Sequence, residues 1–127
     1  MRMTDLIYKD LCYKIVGILY RVHNELGGGH REKYYHRAVE IELKKEKLTF
    51  KSELFFPLSY QGKIIGKYYL DFLIDDKVIV ELKSGEFFKK NDIDQVYHYL
   101  QTSKLKLGLL VNFTKHKVRY KRVLNIS

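Results

Sequence analysis

The sharpest apolar and polar patterning in the chain lies between Lys67 and Lys83, KYYLDFLIDDKVIVELK. β-branched and aromatic residues crowd both sides of Asp75-Asp76, which predicts two antiparallel strands joined by a tight polar turn. In regular strands Tyr68, Leu70, Phe72 and Ile74 share one face, with Tyr69, Asp71 and Leu73 on the other. On the second arm Val78, Val80 and Leu82 share a face, opposite Ile79, Glu81 and Lys83. Three charged groups thus interrupt otherwise apolar strands, and an unpaired buried charge costs several kcal/mol.

Elsewhere the period changes. Ile7, Leu11, Ile15, Ile18 and Val22, widened by Leu19 and Leu26, recur at steps of three and four. They predict a helix from about Thr4, a plausible N-cap, to Leu26, where Gly27-Gly28-Gly29 ends it. A second helix runs to about Lys47 with Glu32, Tyr35, Ala38, Val39 and Leu43. Residues Thr49 to Tyr60 read as a strand, and Pro57 makes it an edge strand or an irregular one. With strands over about 63–74 and 77–84 it completes a meander. A third helix covers about Asp92 to Thr102 with Ile93, Val96, Tyr97 and Leu100 inward. KLKLGLLVNFT then predicts a buried strand, and VRYKRVLNI another with a basic face. The order is ααβββαββ, read as one α+β domain over residues 1–127 with a central mixed sheet flanked by helices. Phe87 and Phe88 are expected to pack on the third helix or stack on a base, with packing favoured; His23 is expected to be a surface or capping histidine and His98 to be exposed.

The net charge of +9 adds a partner class. From Gln101 to Ser127 there are seven Lys or Arg and no acid, a field that favours polyanions, chiefly nucleic acid. The single Cys12 excludes an intramolecular disulfide and falls in a helical apolar pattern, so core packing is its expected role. No apolar run approaches twenty residues and no leader pattern is visible, so the chain is expected to be cytoplasmic with no membrane partner.

The strand charges can be compensated in three ways: an ion pair between Lys83 and an acid, a charged face left in water, or a divalent cation held by Asp71 and Glu81 beside Lys83. Register separates these. Opposed residues of an antiparallel pair have Cβ atoms about 4.5–5.5 Å apart, close enough for two carboxylates to share an ion. Asp71 opposes Glu81 only if Ile74 pairs with Val78, which makes Asp75-Asp76-Lys77 a three-residue loop. A two-residue loop would separate the carboxylates unless a bulge restored the parity.

Gly29 to Tyr35, GHREKYY, fits a GxxExxY signature through Gly29, Glu32 and Tyr35. With the Tyr60 to Gly66 hairpin, the D…ExK pair, a glutamine helix and GLLVNF at Gly108 to Phe113, the chain resembles the GxxExxY protein family over nearly its whole length. That family is similar to the PD-(D/E)XK nuclease superfamily, and the resemblance implies a restriction-endonuclease-like core. It also implies a metal-dependent nuclease, DNA favoured, working as a possible homodimer with Mg²⁺ or Mn²⁺. Asp71 and Glu81 would be metal-binding acids, with the Leu82 carbonyl a third ligand, and Lys83 the lysine of the ExK element. Glu32 would be the helix carboxylate directed at the site. Gln95 and Tyr99 fit a QxxxY element that, with Tyr35 and Lys67, would border nucleic acid.

Two departures stand out. No Pro precedes Asp71, and Tyr69 occupies the position where relatives often carry Arg, leaving Lys67 or Lys63 to meet phosphate. Two other readings stay open: a module that keeps the fold and binds nucleic acid or a partner protein without turnover, and a structural ion-pair cluster with no metal dependence.

Overall fold

The computed structural model describes residues 7–126, with the elements in the predicted order. Helix α1 (Lys9–Leu26) buries Cys12, Ile15, Ile18, Leu19 and Val22 along the expected stripe. It begins later than the sequence suggests, because Tyr8 at its N-cap is left-handed (φ 51°); Thr4 lies outside the described residues. Helix α2 (Glu32–Lys45) turns Tyr35, Val39 and Leu43 inward, each burial stabilising by about 1.5–3 kcal/mol. Strands β1 (Phe50–Tyr60), β2 (Lys63–Ile74) and β3 (Val78–Ser84) form the meander. Helix α3 (Lys90–Ser103) then crosses over to β4 (Leu107–Phe113), which is antiparallel to β5 (Val118–Leu124).

The five strands lie in sequence order in one mixed sheet whose parallel pair is β3 and β4. A parallel connection needs a crossover, and α3 supplies it. Helices α1 and α2 cover the face bearing Phe72, Ile74, Val78, Val80, Leu82, Leu109 and Val111. Helix α3 covers the other through Val96 and Leu100, against Leu70, Leu73, Ile79 and Val123. Pro57 sits on an edge strand beside a register shift at Leu58/Ser59, as its missing N–H requires. Cys12 is buried, and that burial raises its thiol pKa.

Two details of the meander decide the site. Ile74 pairs with Val78, so the loop has three residues; Asp75 and Asp76 are both left-handed (φ 54° and 53°), and the Lys77 N–H closes the turn on the Ile74 carbonyl at 3.0 Å. Beyond Phe72↔Val80 the β2–β3 ladder stops, while β1 and β2 continue together as a two-stranded ribbon. The second detail corrects a sequence expectation. Leu70 and Phe72, two residues apart, pack into clusters on opposite faces of the sheet. The cause is local: Glu53, the β1 residue facing Asp71 in register, is left-handed (φ 53°), and the ribbon turns over at that point. Asp71 is the residue at which β2 changes sides.

Candidate active site

Where the β2–β3 ladder opens, side chains take over the hydrogen bonds the backbone gives up. The Asp71 N–H donates to Glu81 Oε1 at 3.0 Å, and the Leu82 N–H donates to Asp71 Oδ2 at 2.7 Å. The two carboxyls are also hydrogen-bonded to each other. Glu81 is 5% exposed. Two acids this close and this buried do not both ionise without a cation. Burial first, then the Asp71 carboxylate, push Glu81 up to about 9 against the pull of Lys83, so Glu81 keeps a proton that it donates to Asp71. Burial also opposes ionisation of Asp71, but hydrogen bonds from His36, Glu81 and the Leu82 N–H outweigh it and lower the pKa.

Lys83 brings its amine to 3.6 Å from Glu81 Oε2 and 3.8 Å from Asp92 Oδ1, at the start of α3. Burial works against its charge, yet Glu81, Asp92, Glu32 and Asp71 together raise its pKa. Both ion pairs are longer than a hydrogen bond, so Lys83 sits near the carboxyl pair without neutralising it directly. Glu32, at the start of α2, is exposed and accepts from the Ser84 N–H at 3.4 Å, just past Lys83, which places it at the rim. Gln95 and Tyr99 follow Asp92 on α3, and Tyr99 is partly buried with its edge against Phe56 at 5.0 Å.

Tyr35 is a correction. Expected at a nucleic-acid surface, it is fully buried, stacked on Phe113 at 4.0 Å, and its hydroxyl donates to the Gly27 carbonyl at 2.7 Å. The signature is therefore a brace. Gly29 takes a left-handed turn (φ 86°), and Gly28 lies so close to Lys115 that a Cβ would meet its backbone at 2.5 Å. Tyr35 locks that turn to the sheet, and α2 starts where Glu32 reaches β3. Tyr35→Phe removes two hydrogen bonds, the one donated to the Gly27 carbonyl and the one accepted from the His30 N–H at 3.3 Å, and keeps the stack, so it is expected to cost about 1–2 kcal/mol of stability and leave nucleic-acid affinity unchanged in a titration. A loss of affinity at unaltered stability would restore the surface role.

Lys67 lies four residues from Asp71 along β2, about 13 Å at strand rise, and Lys63 lies farther still. Two other expectations change. His23 is buried, its Nε2–H donating to the Thr114 carbonyl at 2.8 Å. Phe87 is 79% exposed, while Phe88 sits beneath the Arg119 guanidinium at 5.3 Å.

Sequence reasoning missed His36. Its Nδ1–H donates to Asp71 Oδ1 at 2.6 Å, its Nε2 lies 3.5 Å from Glu40, and its ring stacks on Phe72 at 4.3 Å. The hydrogen bond to Asp71 outweighs burial and raises its pKa, aided by the charges of Asp71, Glu40 and Glu53. The available signal was spacing: His36 lies one helical turn from both Glu32 and Glu40. A histidine bonded to a carboxylate fixes the direction in which its other oxygen points.

These shifts set a pH dependence for the protein in chelating buffer. The folded state holds a proton on Glu81 that the unfolded chain releases around its ordinary value of 4.5. That stabilisation is complete below about 4.5 and is lost as pH rises toward about 9, with a slope of at most about 1.4 kcal/mol per pH unit. His36, also raised, acts in the same sense, whereas lowered Asp71 contributes stability that disappears only as pH falls below its ordinary 3.8. Melting temperatures are therefore expected to decline from about pH 5 to about pH 9, and Glu81→Gln, neutral throughout, to flatten the decline. A level wild-type profile would contradict the assignment.

A mixed sheet with helices on both faces, carrying an acid where one ladder opens and a Glu-x-Lys on the next strand, defines a nuclease-like α+β protein of restriction-endonuclease type. The sequence model of the PD-(D/E)XK nuclease superfamily matches residues 9–123, and the chain belongs to that superfamily. Its members generally use divalent metals. The crystal structure of SSO0001 shares the fold, with a TM-score of 0.56 and 19% identity over 95% of this chain. The chain spans 59% of that protein's length. No curated protein matches it. No helix among the described residues is long and apolar enough to cross a membrane.

Proposed function

We propose that the protein is a Mg²⁺- or Mn²⁺-dependent nuclease of the GxxExxY type, acting in the cytoplasm on nucleic acid, DNA in preference to RNA. One observation carries the reading: the Asp71 and Glu81 carboxyls, from neighbouring strands, meet within hydrogen-bond contact beside the Lys83 amine at an opening of the sheet. Among the described residues no group of three or more His, Cys, Asp or Glu side chains could hold a metal. That donor set disfavours a closed zinc site and suits a hard ion that keeps most of its waters, with one or two carboxylates and the Leu82 carbonyl. When bound, such an ion polarises a phosphate oxygen and acidifies a water.

The chain's own groups then divide the work. Asp71, aimed by His36 and the Leu82 N–H, and Glu81, once its proton has left, hold the cation. Lys83 stabilises negative charge gathering on the phosphate. Glu32 positions the attacking water from the rim, and Gln95 borders the substrate. The restriction-endonuclease-like fold supports DNA, and the basic tail from Gln101 to Ser127 supports a polyanion of either kind. A second copy would present a second set of these groups to the other strand where a duplex frays. The test is incubation with labelled single- and double-stranded DNA and RNA, with Mn²⁺, Mg²⁺ or EDTA. Cation-dependent cleavage is expected; salt-sensitive binding with no cleavage under any cation would leave a binding module instead.

A further inference from the structure

Against Asp71 lies a cleft of about 320 Å³, walled on one side by Lys33 and Arg37 of α2 and on the other by Glu53 and Tyr69 of the ribbon. Tyr69 is 58% exposed, and its ring rests on Phe55, itself 47% exposed, at 5.7 Å between centroids. An aromatic steadied by a second ring and turned to solvent at the lip of a cleft is a stacking surface. Lys33 and Arg37 sit one helical turn apart and are both exposed; Arg37 has no hydrogen bond or ion pair among the described residues, and the Lys33 amine lies over the Tyr34 ring at 5.2 Å. The α2 wall carries both cations, with His36 and a single acid, Glu32, beside them, while the ribbon wall carries Glu53 and Asp71 and no cation. That polarity seats phosphate toward α2 and leaves the ribbon side for a base, whose exocyclic N–H groups a carboxylate accepts.

We propose that this cleft holds one unpaired nucleotide, its base stacked on Tyr69 and its backbone met by Lys33 and Arg37, so that the protein engages single strands and frayed ends rather than duplex interiors. Inside a duplex both faces of each base are covered by neighbours, and only an unpaired or terminal base offers one to a side chain. Tyr69 is the position where the resemblance leads one to expect Arg; the cations beside Asp71 come instead from α2, which frees the strand position for a ring. The proposal rests on reading Asp71 and Glu81 as the hydrolytic centre, but its test does not require cleavage.

Fluorescence anisotropy in EDTA at fixed salt, with a labelled single strand and a labelled, covalently closed circular duplex that has no ends, measures it on the full chain. Tyr69→Ala is expected to weaken single-strand binding about tenfold, the loss of one stacked base, and to leave duplex binding unchanged, while Tyr69→Phe binds as wild type. The ring lies outside both core clusters, so the melting temperature should hold and serves as the control. Equal single-strand affinity in Tyr69→Ala, an equal loss on both ligands, or a wild type that binds neither overturns the proposal. Cleavage by a wild type whose Tyr69→Ala variant binds unchanged sinks the cleft alone; selective loss of binding with no cleavage under any cation sinks the nuclease alone.

Discussion

Asp71→Asn is expected to abolish cation-dependent cleavage, a drop of roughly three orders of magnitude or more, together with the rise in melting temperature that Mn²⁺ brings. The amide keeps an oxygen for the Leu82 N–H at the 2.7 Å position, so the strands stay joined, while the charge and the second oxygen, which accepts from His36, are removed. In the wild type, a cation at about a hundred times its dissociation constant stabilises the folded state by about 2.7 kcal/mol, a shift of roughly 10 °C for a domain of this size. The two readouts fail independently. A variant that keeps the thermal shift but loses turnover would move Asp71 from ion binding to another role, and one that keeps both would remove it from the site.

Lys83→Met separates chemistry from binding. The ammonium lies 3.6 Å from Glu81, where it repels any cation placed between the carboxyls, so its removal is expected to leave Mn²⁺ affinity unchanged or tighter. Turnover is expected to fall about a hundredfold or more, as when one charged stabiliser of a developing anion is lost. The methionine stem fills the same half-buried space, and Glu81 loses a neighbouring charge that lowers its pKa. Single-turnover rates and Mn²⁺ thermal titrations on the same preparation give both numbers. A rate within a few-fold of wild type would deny Lys83 its part in the reaction.

Periodicity in the chain reaches far into the architecture. The stripe in α1, the edge position marked by Pro57 and the element order follow from local residue choice, because a period of 3.6 or 2.0 leaves few ways to bury the apolar face, whereas the pairing of Ile74 with Val78, one of the registers the sequence allows, was decided by the folded hairpin. The candidate acids and lysine were legible for the same reason, as charges breaking strands that otherwise read as buried. Alternation failed at Leu70 and Phe72, since a single left-handed residue on the partner strand, Glu53, turns the ribbon over without altering the pattern on β2.

Side-chain partners from distant segments lay beyond the pattern. Tyr35 matches a signature whether it faces solvent or core, and only the approach of Phe113 buries it. His36 gains meaning from Asp71, 35 residues away, and the cleft joins two cations of α2 to a ring of β2. Sequence alone determined which segments become helix and strand and which charges stand among apolar neighbours, because those depend on residues a few positions apart. Tertiary structure alone decided which of those charges share a proton, which histidine aims one of them and which aromatic is left uncovered, because burial and contact at such positions come from elements that meet only when the sheet is closed.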